Sequence, residues 1–172
     1  PMFNIHGTDL PLNRGGTVVS WLILNGQRLG HATVHQMTEE PDAGPLLSSR
    51  EFLYPHNCRL PVDFIEVYKR EQVRFALELC DRWFTGNLKL QALSQQTEYL
   101  SSYWPRLMAE QSAWIDWSWP GEHIERFICA FDDPYDGAST TWRGQTISLK
   151  KAFFQPDVNR HPYQHGLVFR KN

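Results

Sequence analysis

The chain has 172 residues, 41% of them hydrophobic and 21% charged, which is enough for one domain, or one domain with a small second unit, around a buried core. Its 17 basic and 19 acidic residues give a net charge of −2 without blocks of like charge, which argues against a broad nucleic-acid or membrane surface. Three widely separated cysteines argue against a disulfide framework or a zinc cluster. They favour a reducing, cytoplasmic setting.

The first half of the chain has the pattern of short strands joined by loops. We expect strands at residues 1–5, 31–37 and 46–54, with a loop at 6–16 and a turn cluster at 38–45. The run TVVSWLILNG (residues 17–26) fits a helix or a strand, because periodicity does not separate the two over so few residues. Residues 1–5 are expected to be an interior strand of a parallel sheet.

The second half contains two helical patterns and a hairpin pattern. Apolar residues recur at mostly helical spacing over 61–85, and Gly86 ends that pattern. Residues 86–113 have weak periodicity and indicate a linker that wraps a surface. A second helix is predicted with Ser118 as its N-cap, Pro120 in its first turn, and a buried stripe. The stripe consists of Ile124, Phe127, Ile128 and Phe131. A hairpin with Arg-Gly in its turn is predicted over 138–154, and one more strand over 161–172.

Three polar side chains are candidates for chemistry. Asn4 and His6 are two residues apart, so on a strand they face the same way, and Asp42 lies in the turn cluster. An amide can stabilise an oxyanion, an imidazole can accept a proton, and a carboxylate can orient the imidazole, which together suit acyl transfer. The absence of a nucleophile motif beside them favours direct transfer over a covalent intermediate. The alternative is a polar strand end and an ordinary turn residue.

Other polar and aromatic residues have competing interpretations. His31 and His35 would share one strand face, but the sequence has no established metal-ligand motif and we expect no metal. The tryptophans at 114, 117 and 119 could stack a base, although packing of the linker onto the domain is the simpler role. Lys150 and Lys151 are expected to be a solvated strand end.

The order of these motifs resembles a known family. The string NIHGTDLPLNRGG, SWLILNG, GHATVHQM, PDAGPLL resembles the second half of the catalytic domain of the folate-dependent formyltransferases. That family includes glycinamide ribonucleotide transformylase, methionyl-tRNA formyltransferase and sugar N-formyltransferases. The resemblance implies an α/β fold: the C-terminal half of a formyltransferase Rossmann-like domain, followed by a small, mostly-β, OB-like module that needs further strands to close.

The resemblance also implies a site and a formyl donor. Asn4, His6 and Asp42 match the family's catalytic residues, with His6 protonated as it stabilises the oxyanion. The donor would be 10-formyltetrahydrofolate, with no metal. The loop beside the pterin ring would comprise Met37, Thr38, Glu39, Glu40 and Gly44.

The acceptor side of the site is less clearly marked. Thr8 and Arg14 are the candidate acceptor contacts, with Arg14 suited to a phosphate and otherwise a surface residue. The family's usual Ser-Leu-Leu-Pro is Thr8-Asp9-Leu10-Pro11 here, which places a charge where the pattern is normally apolar.

The later motifs bear on the acceptor amine. The segments around residues 103–140 and 161–170 are similar to the post-catalytic part of sugar N-formyltransferases, whose acceptors are nucleotide-linked amino sugars. Residues 111–172 hold seven basic and seven acidic residues, whereas a tRNA-binding module should carry a basic stripe. We therefore expect a nucleotide sugar as partner, in lipopolysaccharide or polysaccharide biosynthesis, with no nucleic acid, no membrane and a homodimer as an option.

Two other functions stay open: methionyl-tRNA formylation, and an inert scaffold used for binding or dimerisation. The organisation expected from the sequence is a catalytic half-domain at 1–95, a linker at 96–113 and a small helix-plus-β module at 114–172. A complete enzyme of this family carries roughly 100 further residues before Asn4. The chain is therefore expected to be a fragment.

Overall fold

The structure, a computed structural model, describes residues 1–156, 161 and 163, and within them forms seven strands and four α-helices. The strands are β1 (Phe3–His6), β2 (Arg14–Gly15), β3 (Leu29–Gln36), β4 (Leu46–Leu53), β5 (Tyr103–Trp104), β6 (Ala138–Trp142) and β7 (Gln145–Leu149). The helices are α1 (Val18–Leu24), α2 (Pro61–Phe84), α3 (Ala109–Ser112) and α4 (Gly121–Ala130). The ambiguous run at 17–26 is therefore a helix.

Strands β1, β3 and β4 form one antiparallel sheet in the order β1-β3-β4. The parallel neighbours predicted for residues 1–5 are not formed within the described chain, because α1 and its following turn return β3 alongside β1 in the opposite direction. Strand β1 is an edge of this sheet, and it pairs Asn4 with His35 and His6 with Thr33.

The sheet has one apolar face and one polar face because side chains alternate along each strand. Ala32 and Val34 of β3 pack against Phe75 and Leu79 of α2, with Phe3, Ile5, Leu47, Phe52 and Leu88 around them. The intervening residues of β1 and β3 face the other way, so the amide and imidazole side chains lie together on the face away from α2.

Helix α2 confirms the predicted helix at 61–85. Pro61 occupies its first turn, where a missing N–H costs nothing, and the Asp63 carboxylate accepts the N–H groups of Arg59 and Leu60, each at 2.9 Å. The helix ends one residue before Thr85, and Gly86 follows in the left-handed region with φ 73°. A second core joins the start of α2 to α1 and α4 through residues that include Leu22, Phe64 and Phe127.

The start of α4 corrects the sequence prediction. Ser118 is not the N-cap: the helix begins at Gly121, and Pro120 is the N-cap with an extended ψ of 144°. Asp116 explains the difference, because its carboxylate accepts both the backbone N–H of Ser118 at 2.9 Å and its hydroxyl at 2.6 Å. The hydroxyl therefore serves a turn before the helix. Phe127, Ile128 and Phe131 of the predicted stripe are buried, and Ile124 packs beside them.

The predicted hairpin is present, with β6 and β7 antiparallel and Arg143-Gly144 in the turn. Both turn residues have positive φ, 49° and 77°, as a two-residue hairpin turn requires. Strand β7 ends at Leu149, and the Lys150 ammonium pairs with the Asp133 carboxylate at 2.8 Å. The strand predicted at 161–172 lies, apart from residues 161 and 163, outside the described residues.

The linker lies against the first half of the chain. Ser94 exchanges two backbone hydrogen bonds with Leu46, at 2.8 and 2.9 Å, and β5 pairs in parallel with β2. Further along, the Trp21 indole donates to the Pro105 carbonyl at 2.9 Å and stacks on Trp104. These contacts place residues 94–105 directly beside the loops that follow β1 and β3.

Candidate active site

Strand pairing brings together Asn4, His6 and a residue that sequence reasoning did not select, His35. Asn4 lies opposite His35 across β1 and β3, and its Nδ2 is 3.3 Å from His35 Nε2. His6 lies at the end of β1 on the same face, with its ring centroid 6.5 Å from that of His35. The result is an amide and two imidazoles at one end of the sheet's polar face.

Asp42 completes the group from the loop after β3. Its Oδ1 lies 3.5 Å from His6 Nδ1 and 3.4 Å from His35 Nε2, while its Oδ2 accepts the backbone N–H of Gly15 at 3.2 Å. One carboxylate oxygen is therefore held by the backbone and the other faces both imidazoles. The structure thus brings the three predicted catalytic residues together.

His35 links the amide to the carboxylate. Its Nδ1 lies 3.2 Å from the carbonyl oxygen of Gln36, which only accepts hydrogen bonds, so Nδ1 carries a proton. A neutral ring then accepts the Asn4 amide at Nε2, whereas a doubly protonated ring pairs at Nε2 with Asp42. His35 Nε2 therefore lies within reach of both the Asn4 amide and the Asp42 carboxylate.

The His6 ring is buried, and its electrostatics follow from that burial. Burial lowers the pKa of His6 below its ordinary value of 6.5, while the Asp42 carboxylate and the Asn13 carbonyl oppose that shift. Its Nε2 lies 3.4 Å from the Asn13 carbonyl. At neutral pH the resting ring is mainly neutral, so the protonated His6 that the resemblance implies has to form during turnover.

The loop from Met37 to Gly44 borders this cluster. Its residues 37–41 are exposed, whereas Asp42 is partly buried and has a left-handed φ of 56°. Gly44 is buried so closely against the Gln36 carbonyl that a Cβ would lie 1.8 Å from that oxygen. Gly44 is thus the buried end of the predicted pterin loop. Its exposed rim consists of Met37, Thr38, Glu39 and Glu40.

Thr8 and Arg14, the two predicted acceptor contacts, bond to other residues of the protein in this structure. The Thr8 hydroxyl is buried and donates to the Leu12 and Asn13 carbonyls at 3.1 and 3.0 Å, which closes its own loop. Arg14 is only 6% exposed, and its guanidinium donates to Glu98 and Gln96 of the linker. Asp9, in contrast, is exposed.

The remaining candidates lie outside the cluster. Trp119 packs edge-on against Phe127, and the Trp117 indole donates to the Thr140 hydroxyl at 2.8 Å. One cavity of about 420 Å³ lies between α1 and α4, away from the imidazoles. Among the described residues no group of three potential ligands is placed to hold a metal, and no described helix is long and apolar enough to cross a membrane.

Comparison with known proteins gives consistent matches. A family model described as the C-terminal domain of formyl transferases matches residues 107–168. Methionyl-tRNA formyltransferase of Roseiflexus castenholzii is 32% identical over 154 residues, which cover 90% of this chain and 47% of the relative. The chain spans about half the length of the curated relatives it matches, 47% of that one and 54% of the Chloroflexus aggregans enzyme.

Solved structures share the fold. Methionyl-tRNA formyltransferase from Clostridium thermocellum has a TM-score of 0.68 at 18% identity, covering 91% of this chain and 64% of that one. WlaRD, a sugar 3N-formyltransferase solved with dTDP and 5-N-formyl-tetrahydrofolate, has a TM-score of 0.62 at 22% identity, covering 76% and 46%. The fold is thus that of the C-terminal part of a formyltransferase. These matches support assignment of this chain to the folate-dependent formyltransferase family.

Proposed function

We propose that the full-length protein transfers a formyl group from 10-formyltetrahydrofolate to a primary amine. The observation that carries this proposal is the cluster in which one oxygen of Asp42 faces both His6 and His35 while the Asn4 amide lies beside them. Such a cluster can bind a carbonyl oxygen and move a proton, and it contains no nucleophile for a covalent intermediate. The proposal includes the cytoplasmic setting expected from the cysteines, all three of which are free thiols.

The chain's residues support each step of a direct transfer. The acceptor nitrogen forms a bond to the formyl carbon, and the carbonyl oxygen becomes an oxyanion that the Asn4 amide N–H stabilises. Neutral His6 takes the proton that the attacking nitrogen loses, and Asp42 stabilises the imidazolium that results. His6 then returns the proton to the departing folate nitrogen as its bond to the formyl carbon breaks. His6 is therefore neutral again at the end of the cycle.

We propose that the formyl donor binds against the exposed rim of Met37, Thr38, Glu39 and Glu40, with Gly44 buried at the end of that loop. Met37 is 50% exposed and offers an apolar surface to a flat ring. WlaRD, which shares this fold, was solved with a formylated tetrahydrofolate. The donor is a co-substrate, and nothing in the proposed steps requires a metal.

We propose a nucleotide-linked amino sugar as the acceptor. Two supporting observations are the balanced charge of residues 111–172, seven basic and seven acidic, and the dTDP-bound structures of sugar N-formyltransferases with the same fold. Thr8 and Arg14 remain the proposed acceptor-side residues, although a phosphate reaching the Arg14 guanidinium would have to replace Glu98.

Methionyl-tRNA is the second candidate acceptor, because the curated relatives found by sequence are methionyl-tRNA formyltransferases. To discriminate the two, full-length protein is incubated with 10-formyltetrahydrofolate and either methionyl-tRNA or a panel of amino-sugar nucleotides. We expect turnover of at least one sugar. Turnover of methionyl-tRNA alone would replace the nucleotide-sugar proposal, and turnover of no amine would favour an inert binding or dimerisation scaffold.

A further inference from the structure

We propose that Gln96, a residue of the linker, is a positioning residue that holds Asp42 beside His6 and His35. The inference rests on the proposed function, because the carboxylate it positions is the one assigned to proton transfer. It assigns the linker a part in the chemistry, whereas the sequence indicated only a connection between two units.

The Gln96 side chain uses both ends of its amide. Its Nε2 donates to the backbone carbonyl of Asp42 at 2.9 Å and to that of Gly44, and its Oε1 accepts from Arg14 Nη2 at 2.9 Å. This orientation is unambiguous: carbonyls only accept and a guanidinium only donates, so a flipped amide would lose all three bonds.

Asp42 depends on such support because little else fixes it. Its backbone has φ 56°, a left-handed conformation that few residues other than glycine, asparagine and aspartate adopt, and the residues before it in the loop are exposed. Its carboxylate contacts are long, at 3.2 Å to Gly15 and 3.4 to 3.5 Å to the imidazoles. The Gln96 amide holds the backbone carbonyls of Asp42 and Gly44, and it therefore fixes the position of the Asp42 carboxylate.

Gln96 is itself anchored at both ends of its segment. Arg14 is buried and donates to the Glu98 carboxylate through both Nη atoms, at 3.2 and 3.0 Å. Just upstream, Ser94 forms its paired backbone bonds with Leu46. The chain on either side of Gln96 is thus fixed to β2 and to the start of β4, so the side chain can hold the Asp42 loop rather than follow it.

The test compares three variants of the full-length protein. Gln96→Ala removes the amide, and Gln96→Glu keeps an acceptor for Arg14 but has no N–H for the two carbonyls. Gln95→Ala is the matched control, since Gln95 is the exposed neighbour on the same segment. We expect kcat to fall by about 10- to 100-fold in both Gln96 variants, because a displacement of a reacting group by about 1 Å can cost about 100-fold, with KM within about two-fold of wild type. Gln95→Ala should match wild type.

A second measurement separates this inference from the proposed function. The titration of His6 is followed by NMR, which needs no turnover. Asp42 opposes the effect of burial on the pKa of His6, so a carboxylate that moves away should let this pKa fall further in Gln96→Ala, which adds no charge. Wild-type kcat and wild-type His6 titration in Gln96→Ala would overturn the inference, as would equal losses in Gln95→Ala. A wild-type protein without transfer activity would overturn the proposed function, and the titration would still decide the role of Gln96.

Discussion

The first 55 residues contain a partly buried aspartate and the segment around α4 contains a fully buried one, and the two carboxylates have different partners. Asp132, at the end of α4, is fully buried and accepts the backbone N–H groups of Asp133 and Lys151. Asp42 has one oxygen on a backbone N–H and the other directed at two imidazoles. The first arrangement closes a turn, whereas the second leaves an acceptor free to respond to a change in charge.

The difference shows that burial alone does not identify a functional acid. Backbone donors cannot gain or lose protons, so a carboxylate that is satisfied by them is a structural group. Imidazoles beside a carboxylate can change charge within the physiological range, so the Asp42 cluster can take part in proton transfer. The family model matches the later region of the chain, whereas the proposed chemistry is in the earlier one.

The largest expected effect separates these two aspartates. Asp42→Asn should lower kcat by about 10²- to 10⁴-fold, the usual range for loss of acid–base function, with little change in thermal stability. Asp132→Asn should leave kcat of the folded protein within about two-fold of wild type and lower stability by about 1–3 kcal/mol, because a buried group loses hydrogen bonds. Steady-state kinetics and thermal melts on both variants check this, and the reverse pattern would contradict the assignment.

The pH dependence should follow His6. Burial lowers the pKa of His6 below 6.5, so the neutral ring that accepts the proton persists through neutral pH, and kcat should fall only at pH values below 6.5. Asp42 and His35 both lie close enough to influence this titration. A kcat profile from about pH 5 to pH 8 measures the midpoint, within the range where an imidazole titrates. A midpoint above 6.5 would contradict a neutral resting His6.

The lowered pKa of His6 also makes the free energy of unfolding depend on pH. Because the folded-state pKa of His6 is lowered, the unfolded chain takes up the proton first as the pH falls below 6.5. The His6 contribution to stability should be constant above that pH and decline below it. Denaturant unfolding of wild type and His6→Gln at several pH values gives the free energy of unfolding of each protein. The difference between their slopes against pH measures the His6 contribution. A contribution that instead declined as the pH rose above 6.5 would show a raised pKa.

Because residues 111–172 carry balanced charge, kcat/KM for the acceptor should depend little on salt. If the acceptor is a nucleotide sugar, Arg143→Glu at the exposed hairpin turn should change kcat/KM by less than about two-fold, and salt should have a similarly small effect. An RNA acceptor would instead weaken by orders of magnitude between about 50 and 200 mM salt. Assays of both proteins across that range check the prediction, and a steep salt dependence would favour methionyl-tRNA.

The smallest expected effect concerns Ser118. Loss of a true N-cap hydroxyl costs about 1 kcal/mol, whereas Ser118 bonds only within the turn at Asp116. Ser118→Ala should therefore change the free energy of unfolding by less than about 0.5 kcal/mol, the range for ordinary surface substitutions. A loss near 1 kcal/mol in denaturant unfolding would restore the N-cap role.

Local patterns predicted some of these features well. Strand alternation predicted that Asn4 and His6 share a face, and helical spacing predicted α2 and the buried stripe of α4. Asp42 was a candidate by residue type, and only the family resemblance linked it to Asn4 and His6, because nothing in a turn sequence shows which strand end it will meet. His35 was considered only with His31 as a metal pair, since its neighbour across the sheet depends on the register between β1 and β3. Gln96 carried no signal, because side chains of an aperiodic linker act through tertiary contacts.

The measurement that tests the central claim most directly follows an isotope-labelled formyl group from 10-formyltetrahydrofolate. Full-length wild type and Asp42→Asn are incubated with the donor and an amino-sugar nucleotide, and the label is traced by mass spectrometry. The account predicts that the label appears on the acceptor amine with wild type, in step with the release of tetrahydrofolate, and that Asp42→Asn forms almost none. Equal labelling by both proteins, or release of free formate without labelled amine, would contradict it.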